Sequence, residues 1–163
     1  MALRNAFVFL ISALLFSLVI SSCKNTSTDN LQSLDLLSHG VPLKIKAPEG
    51  AEVKVDDMGI VKDITVRAGD GFNLQIIAGT SYMNGLADVV NKQKADAIAS
   101  KTFSKVVEED SNGFIFEKKY SEERISYDFR YVRLQGDQEY IFQTGLLGQF
   151  SLDQVKEMYQ AVQ

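Results

Sequence analysis

The chain has 163 residues, a formal net charge of −4 at pH 7 and a single cysteine. This length supports one hydrophobic core of ordinary size and is too short for two. The basic residues are scattered among acidic ones, which excludes the clustered positive charge that a nucleic-acid-binding surface requires. One cysteine cannot form a disulfide within the chain, so stability must come from packing.

The N-terminal segment has the order of a secretory signal. Arg4 precedes an uncharged apolar run from Ala6 to Ile20, and small residues close the run. The run is shorter than the roughly 20 apolar residues of a membrane-spanning helix. We therefore expect residues 1–22 to be a signal peptide that is removed.

The residues that close this run are Ile20, Ser21, Ser22 and Cys23, and together they resemble the lipobox of bacterial lipoproteins. The resemblance implies that Cys23 is lipidated and becomes the first residue. A lone cysteine is more often a small buried hydrophobe or a free thiol, but its place between an apolar run and a polar stretch favours the anchor. Two or more acyl chains hold a protein stably in a membrane. Lys24 resembles an outer-membrane sorting signal, so we expect an outer-membrane lipoprotein.

Residues 23–30 are polar and predict a tether between the lipidated cysteine and one globular domain over residues 31–163. Leu31, Leu34 and Leu37 follow at helical spacing, with Gly40 as a stop signal, and predict a short helix. The alternative is that this stretch continues the tether. His39 has neither a second histidine nor an acidic pair nearby in the sequence, which disfavours a metal or general-base role.

From Val41 onward the pattern has period two, which indicates strands with one buried face. A predicted central helix, rich in Ala and Lys and free of Gly and Pro, separates two groups of strands, with Asn84 as its cap. A capping box at Ser151 predicts a closing amphipathic helix. The predicted strands and helices, in chain order, are 43–46, 52–55, 60–67, 72–78, helix 86–101, 103–109, 114–120, 124–134, 139–144 and a helix starting after 151.

This order predicts an α+β domain: antiparallel sheet meanders with a central and a C-terminal helix packed on them. The stretch from Leu43 to Gly50, the central helix, the Asn112-Gly113 hairpin and the terminal helix resemble the PsbP-like family. The resemblance implies an α/β/α sandwich and a binding role, and it carries over no catalytic residue.

The long strand from Arg124 to Leu134 supplies the candidate binding surface. Its alternation predicts a charged face, open to solvent, and an aromatic face. The charged set is Arg124, Ser126, Asp128, Arg130 and Arg133. Tyr127 and Tyr131, with exposed ends of Tyr140 or Phe142, form an alternative contact surface, because Tyr and Arg are enriched at interfaces. The plainer interpretation is an ordinary wet face with cross-strand ion pairs and a tyrosine core.

No motif for a serine hydrolase, a phosphate-binding loop, a zinc protease or a dithiol site occurs in the chain. We therefore expect a non-enzymatic, monomeric envelope lipoprotein without a cofactor, held at the membrane by its lipid and bound to an envelope protein. The alternative is a periplasmic carrier for a small apolar ligand, and a hydrolase is disfavoured. A gap between helix and sheet lined by Phe and Ile would favour the carrier, whereas a filled core would favour the adaptor.

Overall fold

The computed structural model describes residues 30–163. The predicted signal peptide, the lipobox with Cys23 and nearly all of the predicted tether lie outside the described residues. The described chain forms these elements in order: β1 (Leu31–Asp35), β2 (Lys44–Pro48), β3 (Glu52–Asp57), β4 (Val61–Ala68), β5 (Phe72–Thr80), α1 (Leu86–Ile98), β6 (Phe103–Glu109), β7 (Gly113–Lys119), β8 (Ile125–Gln135), β9 (Gln138–Thr144) and α2 (Leu152–Ala161).

The strands form two antiparallel sheets. The larger has seven strands in the order β3-β4-β5-β9-β8-β7-β6, and β1 and β2 form a separate hairpin. A mostly antiparallel sheet with two helices is an α+β fold, which confirms the predicted class. The expected opening meander is wrong in one respect, because β2 pairs with β1 instead of joining the large sheet.

The predicted helix over Leu31, Leu34 and Leu37 is wrong. Leu31 to Asp35 form β1, and only a 3₁₀ turn at Leu37–His39 follows. The leucine that this stretch buries is Leu36, which is fully enclosed and donates its N–H to the Leu43 oxygen at 2.9 Å. A helix of two turns is marginal in water, so pairing with β2 decides the structure.

The two helices pack on opposite faces of the large sheet. On one face, called the α1 face, Val89 and Val90 contact Val132. On the other, called the α2 face, the Phe129 and Tyr159 rings meet edge to face with centroids 5.6 Å apart. The β1–β2 hairpin shares the core of the α2 face.

Local signals set the helix starts with unequal success. The capping box of α2 is confirmed, with the Ser151 hydroxyl accepting from the Gln154 N–H and the Gln154 side chain accepting from the Ser151 N–H. At α1 the N-cap is Gly85, with no side-chain cap, so the prediction of Asn84 is wrong.

The chain enters the domain at one end of the sheet, which we call the proximal end. Leu31 pairs with Pro48 there, and β3 begins a few residues later at Glu52. The opposite, distal end holds the β3–β4 turn, the start of the β5–α1 loop and the β8–β9 turn. Val61 after the first turn is opposite Gly79 near the end of β5. Ser81 in the β5–α1 loop donates its N–H to the Asp137 oxygen of the β8–β9 turn at 2.7 Å.

Candidate functional site

The seven residues proposed from the β8 sequence do not form one exposed surface. Ser126, Asp128 and Arg130 point to the α1 face, as their parity with Val132 requires, and Tyr127, Tyr131 and Arg133 point to the α2 face. Arg124 lies in the turn before β8. The expectation of a solvent-open charged face is wrong, since Ser126 is 1% and Asp128 is 6% exposed.

Asp128 is the centre of a buried ionic cluster. Its Oδ2 lies 3.1 Å from Lys118 Nζ, and its Oδ1 lies 3.1 Å from an Arg130 nitrogen. Oδ1 also accepts from the Thr144 hydroxyl at 2.7 Å and from the Phe129 N–H at 2.8 Å. Both carboxylate oxygens thus have donors within this part of the chain, most of them at Oδ1, which is what allows a charge to be buried.

The electrostatics of this cluster favour the ionised carboxylate. Burial alone would raise the pKa of Asp128, but Arg130, Lys118 and the Thr144 hydroxyl outweigh it and lower the pKa below its ordinary value. A carboxylate held ionised by two neighbouring cations is unsuited to proton transfer near neutral pH. The arrangement therefore serves to fix β8 against β7 and the end of β9.

Arg133 and Tyr131 hold the start of β2 and the end of α2 against the sheet. The Arg133 guanidinium donates to the Lys44 oxygen at 3.0 Å and to the oxygens of Val162 and Gln163. The Tyr131 ring meets the Tyr159 ring edge to face at 5.4 Å. Both side chains are committed to internal contacts, as the plainer interpretation of the sequence held.

The remaining members of the proposed surface also have partners within the domain. The Arg124 guanidinium lies 4.8 Å from the centroid of the Tyr120 ring, and the Tyr127 hydroxyl donates to Glu117 at 3.4 Å. Tyr140 and Phe142, expected to expose their ring ends, are 3% and 0% exposed. The contact surface expected from them is therefore not present at this strand.

The α1 face is covered over β6, β7 and β8 and is open over β3, β4 and β5. The open half holds a cleft of about 450 Å³. Its floor is polar: Gln143 donates to Gln75 at 2.7 Å, and Gln75 donates to Asp63 at 2.7 Å. Exposed Leu146 and Leu147 form its proximal wall. The cleft thus combines hydrogen-bonding groups on its floor with apolar side chains in its wall.

Exposed large apolar side chains lie at both ends of the sheet, and those at the distal end form what we call the distal rim. Tyr82 is 93% and Ile60 is 87% exposed. Such exposure of large apolar side chains in one region is typical of a binding surface, whereas single exposed residues are normal. The distal rim consists of Leu37, Met58, Ile60, Tyr82 and Met83.

Backbone geometry brings the segments of the distal rim together. The Met58 N–H donates to the Val61 oxygen at 2.9 Å and closes the β3–β4 turn, and Val61 is directly opposite Gly79 at the end of β5. Lys62 Nζ reaches the Gly40 oxygen at 3.4 Å, which places the 3₁₀ turn beside β4. A cleft of about 280 Å³ lies between these segments, with Ile60 at its edge.

Two classes of site are not found in residues 30–163. These residues contain no group of three or more His, Cys, Asp or Glu side chains that could hold a metal ion. Nor does any helix in this range have the length and apolar character to cross a membrane.

Comparison with known protein families, curated proteins and solved structures gives no match for this chain. The functional argument therefore depends on the geometry of its surfaces.

The distal rim was not predicted from the sequence, although a signal was present. Met58 and Ile60 flank Gly59 in a turn, and Tyr82 and Met83 stand in a loop that otherwise consists of Ser, Asn and Gly. Large apolar residues in turns are a signal for binding, because turns are normally solvated. That the two turns share one end of the sheet follows only from the strand order.

Proposed function

We propose that this protein is a lipid-anchored adaptor of the bacterial cell envelope, attached to the outer membrane through Cys23, that binds a protein partner at its distal rim. The observation that carries the proposal is the exposure of five large apolar residues at the end opposite the chain entry. A tether that leaves from the proximal end would direct the distal rim away from the bilayer and toward an envelope protein.

The interior packing supports a protein partner over an apolar ligand. Ala97 packs with Phe114 and Phe116 between α1 and the sheet, and Val90, nearer the start of the same helix, packs with Val132. Met158, on the sheet-facing side of α2, is fully buried. A cleft of about 310 Å³ remains between α1 and the sheet, and polar side chains such as Gln93, Asp128 and Arg130 line most of it. A gap lined by Phe and Ile, which would favour the carrier, is therefore not what these contacts leave, and the packing supports the adaptor.

We also propose distant membership of the PsbP-like family. A helix on each face of an antiparallel sheet and the β2 stretch ending at Gly50 support this assignment. Family resemblance of this kind argues for binding and docking. We propose that the protein acts without catalysis, without a cofactor and without a nucleic acid partner.

The test places a photo-crosslinking amino acid at Tyr82 or at Ile60 in the full-length chain, expressed in its native envelope. Tyr120 is the matched control, because it is a partly exposed tyrosine at the opposite end of the sheet. We expect the two distal positions to crosslink to the same protein and Tyr120 not to do so. Ile60→Ser should reduce crosslinking from Tyr82 while leaving the fold intact, since Ile60 buries little surface.

The anchor is tested separately with Cys23→Ala, which should release the folded chain from the membrane or leave it unprocessed. Membrane attachment of the cleaved Cys23→Ala chain would contradict the anchor. Capture of no protein from either distal position, together with a lipid or metabolite bound to the purified chain, would support the carrier instead.

A further inference from the structure

The seven-stranded sheet ends in two edges that differ in regularity. At one edge, β6 pairs with β7 through two register shifts, between Phe103 and Lys105 and between Val106 and Glu108. Bulges of this kind twist an edge and hinder further pairing. At the other edge, β3 pairs with β4 over six consecutive residues without a shift. The β3 edge is therefore the one shaped to accept another strand.

The backbone of β3 presents free hydrogen-bonding groups outward. Met58 and Val61 form the hydrogen-bonded pair that closes the turn, and hydrogen-bonded and non-hydrogen-bonded pairs alternate along an antiparallel ladder. By this alternation Glu52, Lys54 and Asp56 bond to β4. The N–H and C=O groups of the intervening residues, Val53 and Val55, point away from it, and no strand of the described chain lies on that side.

The side chains of β3 define what an added strand must carry. Val53 and Val55 are half-buried and pack against the main core at its margin. Glu52, Lys54 and Asp56 stand on the other face, with Lys54 Nζ 2.6 Å from Asp56 Oδ2. An added strand would complete the cover of the two valines with apolar residues and would meet an acidic, basic, acidic row with the opposite charges.

We propose that the β3 edge binds an extended segment of a protein partner by antiparallel strand addition. The segment has the pattern basic, apolar, acidic, apolar, basic, with its apolar residues beside Val53 and Val55. Main-chain hydrogen bonds supply the affinity of such complexes, and alternate side chains supply the specificity. This surface is separate from the distal rim, so the inference goes beyond the proposed function. Only the choice of a partner segment over a second copy rests on the proposed membrane anchor.

A second copy of the chain is the competing occupant. Antiparallel self-pairing with Lys54 opposite Asp56 satisfies the charges, but it would point the two chain-entry ends in opposite directions along the strands. Two copies anchored in one bilayer by short tethers would not adopt this arrangement readily, whereas a partner segment has no such constraint.

The test is an NMR titration of the chain lacking residues 1–23, which retains every described element. The probe is an acetylated and amidated peptide, Lys-Val-Glu-Val-Lys, and the control is its charge-reversed form, Glu-Val-Lys-Val-Glu. We expect the first peptide to shift the amide resonances of Val53, Val55 and Asp57 and to bind more tightly than the second. Shifts centred on the distal rim would overturn the proposal.

Backbone and side-chain contributions are separated by a pair of variants at one position. Val55→Pro removes an outward N–H and keeps the bonds to β4, a place where edge strands tolerate proline. We expect it to weaken peptide binding about tenfold or more, because a hydrogen bond and a strand position are lost together. Val55→Ala keeps the N–H and should stay within about threefold of the parent. Equal losses in the two variants would refute strand addition.

A charge exchange gives a test that does not depend on proline. Lys54→Glu should weaken binding of Lys-Val-Glu-Val-Lys. The same variant should instead bind Lys-Val-Lys-Val-Lys, whose central lysine pairs with the new glutamate. If Lys54→Glu does not change which of the two peptides binds more tightly, the predicted charge pattern of the segment is wrong. Concentration-dependent dimerisation, with Val53 and Val55 amides protected in the absence of peptide, would assign the edge to a second copy. The titration contains no membrane, so its failure would leave the anchor and the distal rim untouched.

Discussion

Replacing Asp128 by Asn tests whether the buried ionic cluster stabilises the fold. The substitution keeps the shape of the side chain but removes the charge that compensates Lys118 and Arg130, whose side chains are 20% and 19% exposed. Removing one partner of a buried ion pair costs about 3–5 kcal/mol, because the remaining charges stay desolvated. We expect the free energy of unfolding to fall by about that amount at pH 7.

Urea unfolding followed by far-UV circular dichroism measures this loss, since the chain contains no tryptophan. With a slope of about 1.5 kcal/mol per molar urea, the midpoint should fall by roughly 2–3 M. The matched control is Asp56→Asn, which removes a carboxylate 2.6 Å from Lys54 on an exposed surface. Surface pairs contribute about 0–1 kcal/mol, so this midpoint should hardly move.

The pH dependence gives a second readout of the same cluster. The pKa of Asp128 is lower in the folded chain than in the unfolded chain, so the carboxylate stabilises the fold above the unfolded pKa of about 4. That contribution is lost as the pH falls through the folded pKa. The difference between the parent and Asp128→Asn should therefore shrink below about pH 4. A loss under about 1 kcal/mol at pH 7, or a difference that does not change with acid, would refute the account.

Three further substitutions and one control test local features by the same denaturation assay. Ser151→Ala should cost about 1 kcal/mol, because the capping box of α2 loses its hydroxyl acceptor, and an unchanged midpoint would contradict the cap. Gly113→Ala should prevent folding or cost more than about 3 kcal/mol, because a Cβ there would overlap the Arg130 carbonyl oxygen and lie 2.8 Å from Tyr131 Cα, whereas Gly85→Ala, with open space around it, should be tolerated. Tyr159→Phe should cost about 1 kcal/mol, since the Tyr159 hydroxyl donates to Asp110 Oδ2 at 2.9 Å, and equal stability would show that this bond is replaced by water.

Alternation and turn signals were enough to place most of the strands. The β6 bounds agree with those predicted, and β4, β5, β7, β8 and β9 differ by a residue or two. These segments carry period-two patterns between Gly, Asn and Asp turns, and short turns limit how the strands can pair. The Ser151 capping box succeeded for the same reason, since its signal lies within four residues.

Features that depend on distant residues could not be predicted in this way. The alternation of Ser126, Asp128 and Arg130 is that of a wet face, yet α1 covers part of it and the Lys118 ammonium neutralises Asp128 from β7. Alternation reports polarity and not burial, so a buried ion pair is read as a surface one. The helix predicted from the spacing of Leu31 and Leu34 was wrong for a similar reason, because pairing of β1 with β2 overrode a weak helical preference.

The geometry of the domain limits where a partner can lie and so gives a last test. If Cys23 is lipidated as proposed, residues 24–30 could span at most about 25 Å, and the eight residues of β4 add about 26 Å to the distal end. A partner of the anchored protein would therefore lie within roughly 50 Å of the bilayer.

Inserting a flexible Gly/Ser segment of about 20 residues after Asn25 would keep the distal rim intact but lower its effective concentration near the partner. We expect crosslinking from Tyr82 to fall several-fold with this insertion and Ile60→Ser to reduce it further. Crosslinking that is indifferent to tether length, yet lost in Cys23→Ala, would mean that the lipid itself belongs to the docking surface.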